Sequence, residues 1–101
     1  MTIEQIRADL REVRYYYAMQ HLFDANSKVI PPKRVKALVA KYNEAIEEAP
    51  GNVYILYVAL YINNTTQIDL ADDWGFSREY IKTMNRDLYE YLKNYFDKKG
   101  E

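Results

Sequence analysis

Only six residues in this chain of 101 break secondary structure strongly, three prolines and three glycines. They fall at Pro31 and Pro32, at Pro50 and Gly51, at Gly75 and at Gly100. Such scarce punctuation favours long helices over a turn-rich β fold. The first segment agrees. Ile3, Ile6, Leu10, Val13 and Tyr17 recur at spacings of three and four, which predicts a helix from about Ile3 to Asp24. Thr2 suits its N-cap, and Glu4 puts an acid in its first turn. Tyr15, Tyr16, Met19, Leu22 and Phe23 fall on a different side. The helix is therefore expected to touch two surfaces. Either the core encloses it, or one side meets a second chain in a homodimer formed through this helix.

"DANSKVIPP" reads as a linker, because Pro31 and Pro32 stop an incoming helix and pre-set the next. A second helix is expected over Pro32 to Glu48, burying Val35, Leu38, Tyr42, Ala45, Ile46 and Ala49. Lys33, Arg34, Lys36 and Lys41 occupy its first half, and Glu44, Glu47 and Glu48 its second. That order opposes the helix dipole, so the helix must lean on tertiary packing. The basic half is either a solvated face or a contact for phosphates or an acidic partner. After "APGN", Asn52 is the expected N-cap of a third helix, Val53 to Ile62. It is apolar nearly all round, as a central buried helix would be. Its β-branched residues would suit a strand, but no second strand-like run exists to pair with it. The expected fold is all-α, with four to five helices in one domain over residues 1–101. Residues 1–49 form an N-terminal helical hairpin and residues 51–101 carry a helix–turn–helix.

Composition narrows the function classes. The formal net charge is −1, too low for a protein that binds polyanions by charge alone. The most apolar run, "VYILYVALYI", is half the roughly 20 residues a spanning helix needs, so no membrane partner is expected. The charged "MTIEQIRADLREVR" does not read as a leader, and a cytoplasmic setting is expected. There is no cysteine, hence no disulfide or thiolate chemistry. Eleven tyrosines read as filling for core and interface. His21 is the single histidine and has no metal-site spacing around it. Asp72–Asp73 and Glu47–Glu48 are adjacent pairs, and neighbours on a helix diverge by about 100°. No phosphate-cradling loop or nucleophile signature is present. Neither an enzyme nor a cofactor is expected.

The stretch "TTQIDLADDWGFSREYIKTMNRDL" carries the informative pattern. Thr66 can cap a short helix over Gln67 to Trp74, with Asp69 in the place of a capping-box acid. Gly75 can end it in the left-handed conformation. Phe76 is then expected to point back to the core, and Ser77 to cap a last helix. Two helices crossing in this way need a small residue at the crossing, which Ala71 provides. They also need apolar residues where Leu70, Trp74, Phe76, Ile81 and Met84 stand. Every constrained position of a helix–turn–helix is filled.

In the last helix Ile81, Met84, Leu88, Tyr91, Leu92 and Tyr95 form the expected buried stripe. Arg78, Glu79, Lys82, Thr83 and Arg86 project the other way. Such a helix enters the major groove with its N-terminal half. There Arg78, Lys82 and Arg86 can donate to guanine edges or phosphates, Glu79 can accept from cytosine, and Thr83 can meet a thymine methyl. Gln67 and Ser77 sit where helix N-termini meet phosphates. Double-stranded DNA is the expected partner. Asp69, Asp72 and Asp73 on the preceding helix would repel phosphate unless they face away, or would form a protein-facing patch.

The window "TQIDLADDWGFSREYIKTM" resembles, without a gap, the promoter-reading helix–turn–helix of bacterial sigma factor region four. The likeness is closest at Gly75, Ser77, Arg78, Glu79, Ile81 and Met84. The wider layout is similar to small phage and prophage late-gene activators of the RinA and ArpU type. The resemblance covers about a fifth of the chain. It implies a transcription regulator of phage or prophage origin that binds DNA and touches RNA polymerase. By carry-over, Arg78, Glu79, Lys82, Thr83 and Arg86 would be the readers. Tyr80 departs from the pattern, standing where sigma factors commonly carry a base. The first motif helix is also more acidic. Both departures leave a second expectation, a module that binds RNA polymerase or another host protein instead of DNA.

Overall fold

Pro31 and Pro32, Pro50 and Gly51, and Gly75 fall at helix boundaries in the computed structural model, which describes residues 1–22 and 31–100. A further break at residues 63–66 has neither proline nor glycine. Helix α1 covers Ile3–Leu22 and α2 covers Lys33–Ile46. Helix α3, Gly51–Tyr57, runs directly into a π-turn over Val58–Ile62. Helix α4 covers Gln67–Trp74 and α5 covers Arg78–Lys98. The fold is all-α, with no strand among the described residues. The side chain of Leu22, the expected helix end at Asp24 with Phe23 before it, and the linker up to Ile30 lie outside the described residues.

One apolar cluster joins every element. Ile6, Leu10 and Val13 of α1 meet Tyr42, Ala45 and Ile46 of α2, and the cluster continues through Leu56, Leu60, Leu70, Ala71, Ile81, Leu88, Leu92 and Phe96. Burying each large aliphatic side chain stabilises the fold by about 1.5–3 kcal/mol. Helix α1 packs against α2, the π-turn and α5. Tyr16 and Tyr17 also lean on the core, so both sides of the helix are used within the chain. Tyr15 stays outside, 66% exposed.

Three local expectations need correction. On α2 the buried stripe runs through Val39, while Val35, Leu38 and Ala49 are only half-buried. Asn52 is not the cap of α3. Pro50 precedes the helix and its carbonyl accepts from Tyr54 N–H at 2.9 Å, which places the exposed Asn52 inside the first turn. Nor is that helix enclosed, because Ile55 is 55% exposed and Tyr54 stands out beside it. An unbroken apolar run shows how much surface could be buried, but not how many neighbours cover it.

The segment from the π-turn to α4 is held by α1. Asn63 N–H donates to Val58 O at 2.8 Å, the widened i→i−5 step. The chain then turns through Asn64 at φ 60°. The Arg14 guanidinium donates to the carbonyls of Leu60, Asn64 and Thr65 at 2.7, 3.1 and 3.2 Å. Asn64 Nδ2 donates back to Arg14 O at 2.9 Å. His21 Nε2 lies 2.9 Å from Ile62 O, a structural contact on the helix flank. The carbonyls freed by the π-turn and its exit thus find partners on α1.

Buried tyrosines are satisfied in the same manner. Tyr57 donates to Asn43 Oδ1 at 2.7 Å, and Asn43 Nδ2 donates to Tyr17 at 2.8 Å. Tyr61 donates to Asn85 Oδ1 at 2.7 Å, and Asn85 Nδ2 donates to Tyr89 at 2.8 Å. Tyr42 donates to Asp9 at 2.6 Å, and Tyr91 to Ala45 O at 2.7 Å. Each of these hydroxyls has a partner, which spares it the desolvation cost, whereas Asn64 Oδ1 is buried without one among the described residues.

Candidate nucleic-acid interface

The start of α4 depends on Thr66, whose Oγ1 accepts from Asp69 N–H at 3.1 Å. Leu70 and Ala71 are buried where α4 meets α5, as the small residue at the crossing requires. Gly75 follows with φ 71° and ψ 28°. Phe76 N–H donates to Ala71 O at 2.9 Å, and Gly75 N–H to Asp72 O at 3.4 Å. This pair of bonds is the Schellman ending, which needs a residue tolerant of positive φ. Ser77 restarts the chain, its Oγ accepting from Tyr80 N–H at 3.1 Å. Caps and turn thus follow from the local residues.

Phe76 does not return to the core. It is 46% exposed and lies against Tyr80, their ring centres 4.7 Å apart. Trp74 and Met84, only half-buried, take the inner positions. The turn therefore presents an aromatic pair to solvent instead of anchoring through Phe76.

Along α5, Ile81, Leu88, Leu92 and Phe96 are buried, and so is Asn85. Met84, Tyr91 and Tyr95 of the expected stripe are half-buried. Ser77, Arg78, Glu79, Lys82, Thr83 and Arg86 are all exposed. At about 100° and 1.5 Å per residue, Arg78, Lys82 and Arg86 form one edge about 80° wide and 12 Å long. Among the described residues none of these three joins an ion pair. Thr83 is partly committed, because its hydroxyl donates to Glu79 O at 3.0 Å and leaves the methyl and one acceptor outward. Gln67 stands apart. It is half-buried at the far end of α4, about 10 Å of helix from the turn.

The other basic cluster is less free. Arg34 donates to both oxygens of Glu12, at 3.0 and 3.3 Å, and this bond raises its pKa further. Lys41 lies over the Phe96 ring at 4.7 Å. Lys33 and Lys36 remain exposed on α2. No group of three or more His, Asp or Glu side chains among the described residues is placed to hold a metal. None of the described helices is long and apolar enough to cross a membrane. No protein-family model, curated protein or solved structure matches this chain.

Two features of this region escape sequence reasoning. One is the exposed aromatic pair of Phe76 and Tyr80. The other is the groove beside it, lined by the exposed Ile55 and the half-buried Trp74 and Met84. Their signal was present in "VYILYVALYI" and "WGF", but both read as core.

Proposed function

We propose that α4 and α5 act as a helix–turn–helix and that the N-terminal half of α5 reads base pairs in the major groove of duplex DNA. The protein would serve as a small transcription regulator of phage or prophage type, consistent with its resemblance to sigma region four. One observation carries this reading. Arg78, Lys82 and Arg86 form an exposed basic edge on the first half of α5, without an ion-pair partner among the described residues. Guanidinium and ammonium groups held in this way can bond guanine O6 and N7 or phosphate oxygens, each bidentate base contact contributing about 1–3 kcal/mol of discrimination. Glu79 on the same face can accept from cytosine, and Thr83 offers its methyl to thymine. Ser77 and the free amides of the first turn meet a phosphate.

Three cations per protomer make a modest electrostatic contribution. Duplex binding should fall with salt at a log–log slope of about −3 or shallower. A mobility-shift titration over several salt concentrations tests this. Retention of duplex at low salt with that slope supports the reading, and the absence of any retained duplex at low salt overturns it.

A further inference from the structure

A charged groove lies at the far end of α5, between its C-terminal half and α2. Tyr91 donates its hydroxyl to Ala45 O at 2.7 Å, and Lys41 lies over the Phe96 ring at 4.7 Å, so the two helices run antiparallel here. Two adjoining cavities follow the seam. One, of about 450 Å³, lies between Ala40, Lys41 and Glu44 of α2 and Tyr95, Phe96 and Lys99 of the opposite side. The other, of about 390 Å³, shares Tyr95 and Lys99 and is lined further by Glu48, Tyr91, Asn94 and Lys98. The floor is aromatic. The Tyr95 ring lies between Tyr91 and Phe96, with centres 6.3 and 5.4 Å away. Ala40 is exposed beside it and offers only a methyl group, so another chain can approach closely.

The charges in the lining decide what can fill the groove. Glu44 and Glu48 stand one turn apart on the α2 rim, and Lys98 and Lys99 stand on the α5 rim. All four are exposed. Among the described residues none of the four joins an ion pair. Lys41, the remaining charge, is laid on the Phe96 ring and belongs to the floor. Glu48 faces inward, since its charge, after burial, helps to raise the Tyr91 pKa. The groove thus has an acidic rim, an aromatic floor and a basic rim. Duplex DNA meets two carboxylates there, and a partner of one sign is opposed by one rim. A surface of the same pattern turned through a half-circle satisfies both rims at once. A two-fold axis in the plane of contact, crossing the seam near Tyr95, carries the acidic rim of each copy onto the basic rim of the other.

We propose that this groove is the interface of a homodimer, in which Glu44 and Glu48 of each copy meet Lys98 and Lys99 of the other about a two-fold axis near Tyr95. The tyrosine floor supplies the desolvated centre, and the reciprocal charge pairs form the rim. Pairing through α1 is a different arrangement, and that helix already spends both sides within the chain, apart from the exposed Tyr15. The lining residues are fewer than the roughly 20–30 that a standard interface uses on each side, so a dissociation constant on the order of 10 μM is expected. Lys98 lies about 18 Å of helix beyond Arg86. The basic edge of α5 stays uncovered, so dimerisation does not depend on the DNA reading.

Sedimentation velocity of the full chain, from about 1 to about 300 μM, tests this. The native chain should pass from monomer to dimer over that range, and about 1 M salt should weaken the dimer. Glu44→Lys with Glu48→Lys should weaken association at least about tenfold, and so should Lys98→Glu with Lys99→Glu. Mixed in equal amounts, the two double variants should form a 1:1 dimer, because every reversed rim then meets its opposite. The quadruple variant keeps the native net charge and should dimerise by itself. General attraction between oppositely charged proteins gives no such recovery. Ala40→Arg, which obstructs the floor from an exposed position, should also weaken the dimer and serves in case a charge reversal loses helicity. Arg78→Ala, Lys82→Ala and Arg86→Ala together should leave the dimer intact, as should Tyr15→Glu. A chain monomeric throughout the range, or a dimer unaffected by either double variant or by Ala40→Arg, would overturn the proposal. So would absence of recovery in the quadruple variant, or loss of the dimer in Tyr15→Glu, which assigns the interface to α1.

Discussion

Tyr61 donates its hydroxyl to Asn85 Oδ1 at 2.7 Å, tying the π-turn to the inner face of the helix that carries Arg78, Lys82 and Arg86. Asn85 is the buried polar side chain of that helix, and its amide passes the bond on to Tyr89. The rotation of α5 about its own axis is thus fixed by a directional bond as well as by packing. Tyr61→Phe should leave the Asn85 oxygen without its donor and cost about 1–3 kcal/mol. For a domain of this size that lowers Tm by about 4–8 °C per kcal/mol, measurable by thermal circular dichroism. Tyr61→Phe combined with Asn85→Leu should cost less than the sum of the two single changes.

The same hydroxyls set an alkaline limit. Burial pushes the Tyr57 hydroxyl well above the ordinary phenol range. Burial first, and then the hydrogen bond and charge of Tyr89, do the same for Tyr61. A raised folded pKa means that the neutral form is favoured by folding. The stability it provides is complete below the unfolded value of about 10 and is lost as pH rises beyond that. Denaturant midpoints should therefore hold up to about pH 10 and fall above it. Phenolate absorbance should show Tyr57 and Tyr61 ionising only with loss of helical signal.

Arg14 is expected to govern the approach to α4. Arg14→Met removes the donors to Leu60, Asn64 and Thr65 and strands their carbonyls beside the positive-φ Asn64. Each bond from a charged donor contributes about 1.5–3 kcal/mol, so the loss should exceed that of a typical surface change. Hydrogen exchange should quicken first at the amides of the π-turn and α4, ahead of those in α1.

At Gly75 the cost of a side chain is conformational alone. A Cβ there would meet nothing within 4 Å, but φ is +71°. Gly75→Ala should destabilise by about 1–2 kcal/mol, and Gly75→Asn by less, because asparagine tolerates the left-handed region. Equilibrium denaturation of both variants measures the difference.

The parts of the structure legible in the sequence are those whose causes are local. Thr66, Gly75 and Ser77 act on amides within three residues, and each stands where the sequence places it. The spacing that buries Ile6, Leu10 and Val13, or Ile81, Leu88 and Leu92, is likewise a property of one helix. What was not legible depends on distant partners. Arg14 bonds residues 46 to 51 positions away, and Tyr61 reaches one 24 away. No local pattern announces either. Ile55 and Phe76 read as core because they are apolar, yet exposure is decided by whichever elements happen to cover them. For the candidate site, helical geometry placed Arg78, Glu79, Lys82, Thr83 and Arg86 outward, and they are outward. It could not show that Thr83 would spend its hydroxyl on Glu79 O.

The basic edge of α5 is separable from stability. Arg78→Ala, Lys82→Ala and Arg86→Ala remove exposed side chains with no bond among the described residues, and each should change stability by less than about 0.5 kcal/mol. Their effect should appear in duplex binding, with the log–log salt slope falling by about 1 for each phosphate contact removed.

The most direct measurement is selection from a pool of random duplexes, run in parallel with the native chain and with the triple variant Arg78→Ala, Lys82→Ala, Arg86→Ala. The native chain should enrich one short sequence motif over successive rounds, and the folded triple variant should enrich none. Failure of the native chain to enrich any sequence, or recovery of the same motif by the triple variant, would contradict a reading helix at α5.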